Sequence, residues 1–477
     1  MKSLSKKLIP FALLAASALL AACGDDPYQS SSAPDQESQN GQVSDSQGEG
    51  SENNSSIDVS VDPNIEDTIS IMVPSGNAEE TTMIQKAAET FGLLFPNVTV
   101  KINYVSISNY ETAVRQQSMA GSLSDIVWTN SPEYLFLIKN NIAEPLNPYF
   151  AASTEAGEFN IDDYKTRFFE MGSQNGSYYV IPRSADTVVC FYNEELLTQA
   201  GIDMSAIKNG WTWDDFKNVC ASWRAYQDGR GNTKEKGFIC CDAYMSGWNS
   251  VSYPFFRSYG AEVIDEKGNC TLNADSTRAA ITELRDLVDK GYIVKPGVDA
   301  GSSFETNSVP FLFQSASFAH YDDYQKIKGK INVVTLPLIE ANNAPKIGAG
   351  IAGYSINSKI DANKKKLCWQ FLRYILTKEG QESMAEGGLQ VPPIRNDMDD
   401  FTKEKWGEGY EDKNLSAYTV FEEYKITDEF LSHAPVDKMN RLNLAYADFV
   451  TNALQGRKTI DQTIETAVRA INKELGK

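Results

Sequence analysis

Strand-like and helix-like segments alternate along the first half of the chain's folded body. Residues 68–73, 98–104 and 125–128 are short apolar or alternating runs typical of strands. Between them, residues 79–95 and 110–120 repeat apolar side chains at helical spacing. Strands that alternate with helices predict βαβ units around a mostly parallel sheet. We therefore expect an α/β fold.

The loops that follow these strands are the first candidates for a binding site. In open α/β sheets, ligands bind outside the carboxyl ends of the strands. The three loops are residues 74–77, 106–109 and 129–133. Asn77 and Asn130 lie in two of them, and their amides can both donate and accept hydrogen bonds.

The first 66 residues differ in composition from the rest of the chain. Residues 1–23 carry three lysines and no acid, whereas residues 24–66 carry ten acids and no Lys or Arg. Residues 8–22 are apolar but shorter than the about 20 residues of a spanning helix, which indicates an export signal. Residues 24–66 have few large apolar side chains to offset the entropy of ordering, so we expect a disordered tether. A recognition tail is the alternative.

Cys23 follows small residues at the end of the apolar stretch. The sequence LAACG over residues 20–24 resembles the lipobox of bacterial lipoproteins, whose cysteine thiol is lipid-modified after cleavage of the signal. The resemblance implies a signal peptide over residues 1–22 and a lipid-anchored acidic linker over residues 23–66. Two or more acyl chains, of which one would be palmitate, hold a protein stably at a membrane. We therefore expect the protein to be attached to the cell membrane outside the cytoplasm. Ordinary signal cleavage and an uncleaved anchor are the alternatives.

The composition excludes several function classes. A net charge of −20 argues against nucleic-acid binding, which needs a basic surface. A mean hydropathy of −0.37 argues against a multi-span membrane protein. Two histidines, His320 and His433, offer little for a histidine-based catalytic or metal centre. Residues 228–232 faintly resemble a calcium loop, but Arg230 stands at a ligand position, so we expect a turn there. We expect the protein to bind no metal and no cofactor.

Six cysteines remain besides Cys23, and they allow fifteen pairings. None has the spacing of a redox or zinc motif. Cys190, Cys220 and Cys368 lie on apolar faces and are typical of buried thiols. We expect at most one or two disulfides.

A series of motifs after residue 175 is found in one known family. The chain resembles the extracellular solute-binding proteins of ABC importers, family 1, whose sugar-binding members include the maltose-binding proteins. The similarity covers about residues 67–477. The motifs lie at residues 178–182, 188–196, 213–216, 316–324, 348–356, 366–381, 387–393 and 456–459.

The resemblance implies a periplasmic-binding-protein-like fold of type II. Two α/β lobes would be joined by a hinge, and a solute would bind in the cleft between them. We expect lobe 1 to comprise residues 67–183 plus about 305–350, and lobe 2 residues 184–304 plus about 351–477. The implied function is a monomeric substrate-binding lipoprotein, not an enzyme, which captures a mono-, di- or oligosaccharide and delivers it to a permease.

The resemblance also implies binding residues. Asp186 stands at the family's hinge-side carboxylate, with Arg183 beside it. Aromatic residues of the 247–256 segment stand where sugar-binding members stack on the ring, and residues 321–324 replace a Gly-x-Trp turn. Asn443 stands where some members carry another stacking Trp. With the loop amides and a glycine for close approach, the candidates are Asn77, Asn130, Arg183, Asp186, Trp248, Tyr253, Tyr321, Asp323, Tyr324, Gly348 and Asn443.

Other functions remain open at this stage. A solute-binding protein can take a peptide, a polyamine or an iron chelate, and the Tyr178–Tyr179 pair is compatible with iron. An exported glycoside hydrolase would need two carboxylates about 5–10 Å apart across a cleft. A structural adhesin is a further alternative.

Overall fold

Two mixed β-sheets, each covered by helices, form the framework. The computed structural model describes residues 57–75, 78–130, 133–246, 249–298, 301–341, 344–386, 392–398 and 410–477. Within them the strands are β1 (Asp67–Ser75), β2 (Val98–Ser106), β3 (Ile126–Thr129), β4 (Ser173–Gln174), β5 (Ser177–Tyr178), β6 (Ile181–Pro182), β7 (Val189–Asn193), β8 (Cys241–Asp242), β9 (Phe311–Gln314), β10 (Ile331–Thr335), β11 (Ile347–Gly348), β12 (Gly353–Ile356) and β13 (Lys425–Ile426).

The helices connect and cover these strands. The α-helices of the described residues are α1 (Ala78–Phe91), α2 (Tyr110–Ala120), α3 (Glu133–Lys139), α4 (Asn147–Glu155), α5 (Thr166–Met171), α6 (Glu194–Gln199), α7 (Trp213–Gly229), α8 (Asn249–Ser258), α9 (Asp275–Asp289), α10 (Phe318–Asp322), α11 (Ala362–Ile375), α12 (Lys378–Glu386), α13 (Met439–Gln455) and α14 (Ile460–Leu475). Short 3₁₀ turns lie at Ile107–Asn109, Ile161–Asp163, Lys234–Lys236, Asn396–Met398, Leu415–Tyr418, Glu422–Tyr424, Glu429–His433 and Val436–Lys438.

The first sheet has the order β2-β1-β3-β12-β6. β1 runs parallel to β2 and to β3, whereas β12 runs antiparallel to β3 and β6. The predicted parallel βαβ arrangement is confirmed by this pairing. Consequently the carboxyl ends of β1, β2 and β3 meet at one edge of the sheet.

The second sheet has the order β10-β7-β9-β8. β7 is antiparallel to β9 and β10, with Val189 opposite Gln314 and Thr335, and β8 is parallel to β9. The expected lobe division differs from this pairing after residue 305. β9 and β10 (within residues 311–335) join the second sheet and not the first, because both form hydrogen-bonded ladders with β7. β12 (residues 353–356) joins the first sheet, because it pairs with β3 and β6.

Among the described residues, two chain segments run side by side from one sheet to the other. The first crossing, residues 183–188, follows β6, and the second crossing, residues 349–352, precedes β12. Backbone amides bridge them: Val188 N–H donates to Gly348 O at 2.8 Å, Gly350 N–H to Asp186 O at 3.0 Å, and Arg183 N–H to Ala352 O at 3.1 Å. The crossings therefore form a paired ribbon between the sheets.

Local capping sets several helix boundaries where the sequence predicts them. The Thr212 side chain accepts from Asp215 N–H, and the Asp215 carboxylate accepts from Thr212 N–H in return, which is a capping box. Thr459 and Gln462 repeat the arrangement at α14. α1 ends at Phe91, earlier than the predicted end at residue 95, and a turn follows it at Gly92.

The segment before β1 packs onto the body. Val59 is buried, and its carbonyl accepts from Gln370 Nε2 at 2.7 Å. Asp58 pairs with Lys366 at 2.9 Å. The expected disordered linker thus extends too far, because Asp58 and Val59 are bound to α11. The remainder of that linker, the signal peptide and Cys23 lie outside the described residues. Within the described ranges, no helix has the length and apolar character needed to span a membrane.

Candidate functional site

A polar cleft of about 390 Å³ lies where the two crossings meet the carboxyl end of β3. The first sheet contributes the end of β3, and the second-sheet side contributes the first turn of α8. The segment after β13 and one residue of α13 complete the walls. The lining residues are Trp128, Asn130, Arg183, Asp186, Asn249, Ser250, Gly350, Ile351, Ala352, Thr427, Asp428 and Asn443.

Asp186 presents one carboxylate oxygen that finds no donor within the part of the chain that the structure describes. Its Oδ1 atom is buried, and no group among the described residues forms a hydrogen bond with it. An unsatisfied buried acceptor costs free energy that a donating ligand group would recover. Burial raises the pKa of Asp186, and the Arg183 charge opposes that rise.

Gly350 allows the two crossings to approach closely at this carboxylate. A Cβ at Gly350 would lie 2.6 Å from Asp186 Oδ2, a distance at which something must shift. The absence of a side chain at residue 350 is therefore part of how Asp186 is positioned.

Arg183 divides one positive charge between two carboxylates. Its Nε lies 3.1 Å from Glu80 Oε2, and the Tyr354 hydroxyl donates to Glu80 Oε1 at 3.2 Å. Glu80 is 3% exposed, so burial raises its pKa, and the Arg183 charge opposes this rise. Because Arg183 faces both Glu80 and Asp186, the described lining residues do not offer a free cationic site to an anionic ligand.

In the opposite wall, polar side chains of α8, α13 and the segment after β13 are hydrogen-bonded to one another. Asn249 Nδ2 donates to Asn443 Oδ1 at 2.6 Å and to Asp428 Oδ2 at 3.3 Å. The Thr427 hydroxyl donates to Asp428 Oδ1 at 3.0 Å. These bonds fix the orientation of the polar groups, so the wall presents a preorganised set of donors and acceptors.

Trp128 is the aromatic residue among the described lining residues of the same cleft. It is 7% exposed and meets the Tyr110 ring edge-on, with the centroids 5.4 Å apart. The Tyr110 hydroxyl donates to the carbonyls of Met72 and Trp128, which fixes the end of β3. Sequence reasoning missed Trp128, although alternation along a strand places it on the same side as Asn130.

Four predicted residues lie together in this cleft, namely Asn130, Arg183, Asp186 and Asn443. Others occupy different surroundings. Tyr253 is fully buried, its hydroxyl donates to Glu262 at 3.0 Å, and its ring packs 5.2 Å from that of Phe430. It is a core residue and does not line the cleft.

The 321–324 turn also lies outside the cleft lining. Tyr321 is buried against Phe191, with ring centroids 4.9 Å apart. Asp323 is exposed and pairs with Lys328 at 3.5 Å. Tyr324 is 40% exposed and stacks on Tyr321.

Gly348 acts on the cleft indirectly. A Cβ there would lie 1.6 Å from the Ser250 carbonyl, so the glycine lets β11 approach α8. Ser250 itself lines the cleft. Asn77 and Trp248, also predicted, lie outside the described residues.

Several lining residues carry no local sequence signal. Asn249 lies far from Thr427 and Asp428 in the chain and meets Asp428 only through the packing of α8 against the segment after β13. Among the described residues, no cluster of three or more His, Cys, Asp or Glu side chains is arranged to hold a metal ion.

Comparison with known proteins gives one family and several relatives. The family model of bacterial extracellular solute-binding proteins matches residues 75–382. An arabinooligosaccharide-binding protein of Halalkalibacterium halodurans is 23% identical over 308 residues, 61% of this chain and 62% of that protein. One from Bacillus subtilis is 24% identical over 237 residues, 47% of this chain and 51% of that protein. The chain thus spans less than two thirds of the length of these curated relatives.

Solved structures share the fold. An ABC substrate-binding protein of Listeria monocytogenes in complex with cycloalternan has a TM-score of 0.67 at 16% identity, covering 86% of this chain and 100% of that one. The cyclic alpha-maltosyl-1,6-maltose binding protein of Arthrobacter globiformis has a TM-score of 0.68 at 16% identity, covering 86% and 98%. At these identities the likeness shows the fold alone. It confirms the expected α/β, type II periplasmic-binding-protein-like class.

Proposed function

The chain belongs to the bacterial extracellular solute-binding protein family, and we propose that it captures a carbohydrate and delivers it to the permease of an ABC importer. The family implies a place outside the cytoplasm. The observation that carries the proposal is the cleft, where an unpartnered carboxylate oxygen of Asp186 faces a wall of amides and hydroxyls.

The chemistry of the cleft favours a neutral polyhydroxylated ligand. Each sugar hydroxyl both donates and accepts, so it pairs with carboxylates such as Asp186 and with amides such as Asn130. The Trp128 ring offers a flat apolar surface for the C–H face of a sugar. An anionic ligand is disfavoured, because the cation among the described lining residues, Arg183, already faces Glu80 and Asp186.

The names of the relatives indicate which sugars should be tested first. The two curated relatives are named for arabinooligosaccharides, and two of the similar structures are named with cycloalternan and with cyclic alpha-maltosyl-1,6-maltose. We therefore propose an oligosaccharide ligand, with short arabinooligosaccharides as the first candidates. We also propose binding without turnover, so the sugar is recovered chemically unchanged after incubation.

Binding would close the cleft. Trp128 lies in the first sheet and Asn130 just after its strand β3. Asn249 and Ser250 begin a helix of the second-sheet side, and Asp186 lies on a crossing. A ligand that contacts the first-sheet residues, the helix residues and Asp186 binds more tightly when the two sheets approach one another. Closure is then a population shift set by those added contacts, with the paired crossings as the hinge. The closed form is the one we propose the permease recognises.

Membrane attachment is the second part of the proposal. A lipidated Cys23 and the chain up to residue 56 would hold a monomeric body at the outer side of the cell membrane. We expect Cys23→Ser to shift the protein from the membrane pellet to the soluble fraction, with Cys270→Ser as the control for loss of a thiol. Unchanged partition of Cys23→Ser would refute the anchor.

A thermal-shift screen of the purified chain tests the ligand class. The panel holds arabinooligosaccharides, maltooligosaccharides, monosaccharides, peptides, polyamines and a ferric chelate. A ligand at about a hundred times its Kd stabilises the folded state by ~2.7 kcal/mol, so binding raises the Tm measurably. We expect a rise with a carbohydrate. A rise only with a peptide, a polyamine or iron would overturn the carbohydrate assignment.

A further inference from the structure

Four of the six described cysteines lie close to one another around the second sheet. Cys190 is in β7, Cys220 in α7, Cys240 just before β8 and Cys241 at its first position. All four are buried, and all six described cysteines are free thiols in this structure. In an exported protein, buried thiols this close together can form a disulfide if two of the sulfurs are in contact.

One pair is in direct contact. The sulfurs of Cys220 and Cys240 lie 2.6 Å apart. Non-bonded heavy atoms prefer about 3.5–4.0 Å, and sulfur is larger than carbon. The two sulfurs are thus closer than two unbonded thiols prefer to be.

The backbone on both sides is held in place independently of the sulfurs. From α7, Trp223 Nε1 donates to the Ile239 carbonyl at 3.2 Å and Arg224 Nη1 to the Phe238 carbonyl at 2.7 Å. The other side of Cys240 is also bound, since its carbonyl accepts from Phe311 N–H at 3.2 Å. The approach of the two cysteines is therefore a property of how α7 packs on this segment.

The neighbouring cysteines are placed differently. Cys241 is the first residue of β8, whereas Cys240 lies just before that strand, and it is the Cys240 sulfur that contacts Cys220. The Cys190 thiol donates to the Phe191 carbonyl at 3.6 Å. From this geometry we infer that Cys220 and Cys240 are joined by a disulfide in the exported protein.

The bond forms by exchange with a disulfide oxidant of the extracytoplasmic space, such as an oxidised dithiol protein. One cysteine thiolate attacks the oxidant's disulfide and releases one of its sulfurs as a thiol. The second cysteine thiolate then displaces the other sulfur, so the oxidant gains two electrons and leaves as a dithiol. Burial raises the pKa of the Cys220 thiol well above its usual value, so the exchange belongs to folding, while the thiols still reach solvent.

Mass mapping of the full exported chain tests the pairing without any variant. Thiols are blocked with an alkylating agent under denaturing, non-reducing conditions, and the chain is then digested with trypsin. We expect a reduction-sensitive link between the peptide over residues 218–224 and the peptide over residues 237–257. Alkylation of all six thiols, or a link through Cys190 in place of Cys220, would overturn the inference.

Variants resolve the adjacent cysteines, which share one tryptic peptide. The link is expected to persist in Cys241→Ala and Cys190→Ala and to vanish in Cys240→Ala and Cys220→Ala. Cys241→Ala is the matched control, because Cys241 is the sequence neighbour of Cys240 and is also fully buried. A link retained in Cys240→Ala and lost in Cys241→Ala would overturn the assignment. The result does not depend on the ligand, so it stands apart from the carbohydrate proposal.

Discussion

Replacing Asp186 by asparagine should weaken ligand binding without weakening the fold. The two side chains have nearly the same size, but the amide lacks the charge and keeps one acceptor oxygen. In the native protein, Oδ1 is buried and has no hydrogen-bond partner among the described residues, so we assign it to a ligand hydroxyl. A hydrogen bond to a charged group is worth about 1.5–3 kcal/mol. At about 1.4 kcal/mol for each tenfold in Kd, the affinity should fall about ten- to a hundred-fold.

The folded state of Asp186→Asn should be as stable as that of the native protein or more stable. Burial raises the pKa of Asp186 above its unfolded value, despite the Arg183 charge. An acid with a raised folded pKa stabilises the fold below its unfolded pKa, and this contribution is lost as pH rises through the folded pKa. At neutral pH the buried charge is therefore a cost, and the neutral amide removes it.

Titration calorimetry with the sugar found in the screen measures the affinity, and thermal unfolding measures the stability. Asp323→Asn is the matched control, because Asp323 is exposed, pairs with Lys328 and does not line the cleft. We expect Asp323→Asn to bind as the native protein does. If Asp186→Asn kept native affinity, Asp186 would not contact the ligand and the site assignment would be wrong. Loss of binding together with a lowered Tm would also refute the reasoning.

Three further changes test other parts of the structure. Gly350→Ala places a Cβ 2.6 Å from Asp186 Oδ2, so calorimetry should show weaker binding, whereas Gly229→Ala, where the added Cβ meets open space, should bind normally. Trp128→Ala should cost about 1–3 kcal/mol of binding if the ring stacks on the ligand, by analogy with aromatic stacking of bases, whereas Trp128→Phe should retain most of it; equal loss in both would contradict stacking. If the inferred disulfide forms, Cys220→Ala should lower the free energy of unfolding by ~3 kcal/mol in denaturant titration, and a reductant should remove most of that difference.

The sequence predicted what depends on neighbouring residues. Thr212 and Asp215 cap a helix through contacts three residues apart, and the cap lies where the pattern places it. β1, α1 and β2 likewise follow from apolar periodicity, and parallel pairing of β1 with β2 follows from the helix between them. Asn130 could be proposed in advance because it follows such a segment, and Asp186 because the family resemblance implies a hinge-side carboxylate at its position.

The tertiary structure decided what depends on distant partners. In the sequence, Tyr253 and Tyr321 are aromatics available for stacking, yet packing with Phe430 and Phe191 buries them in cores.

By itself, then, the sequence determined the α/β class, the succession of local elements and the family, because periodicity and caps act over a few residues. Only the tertiary structure decided which strands share a sheet, which polar residues meet in the cleft, and which cysteine faces Cys220. Those outcomes follow from contacts between segments far apart in the chain, such as Asn249 with Asn443. No short stretch of sequence contains both partners of such a contact.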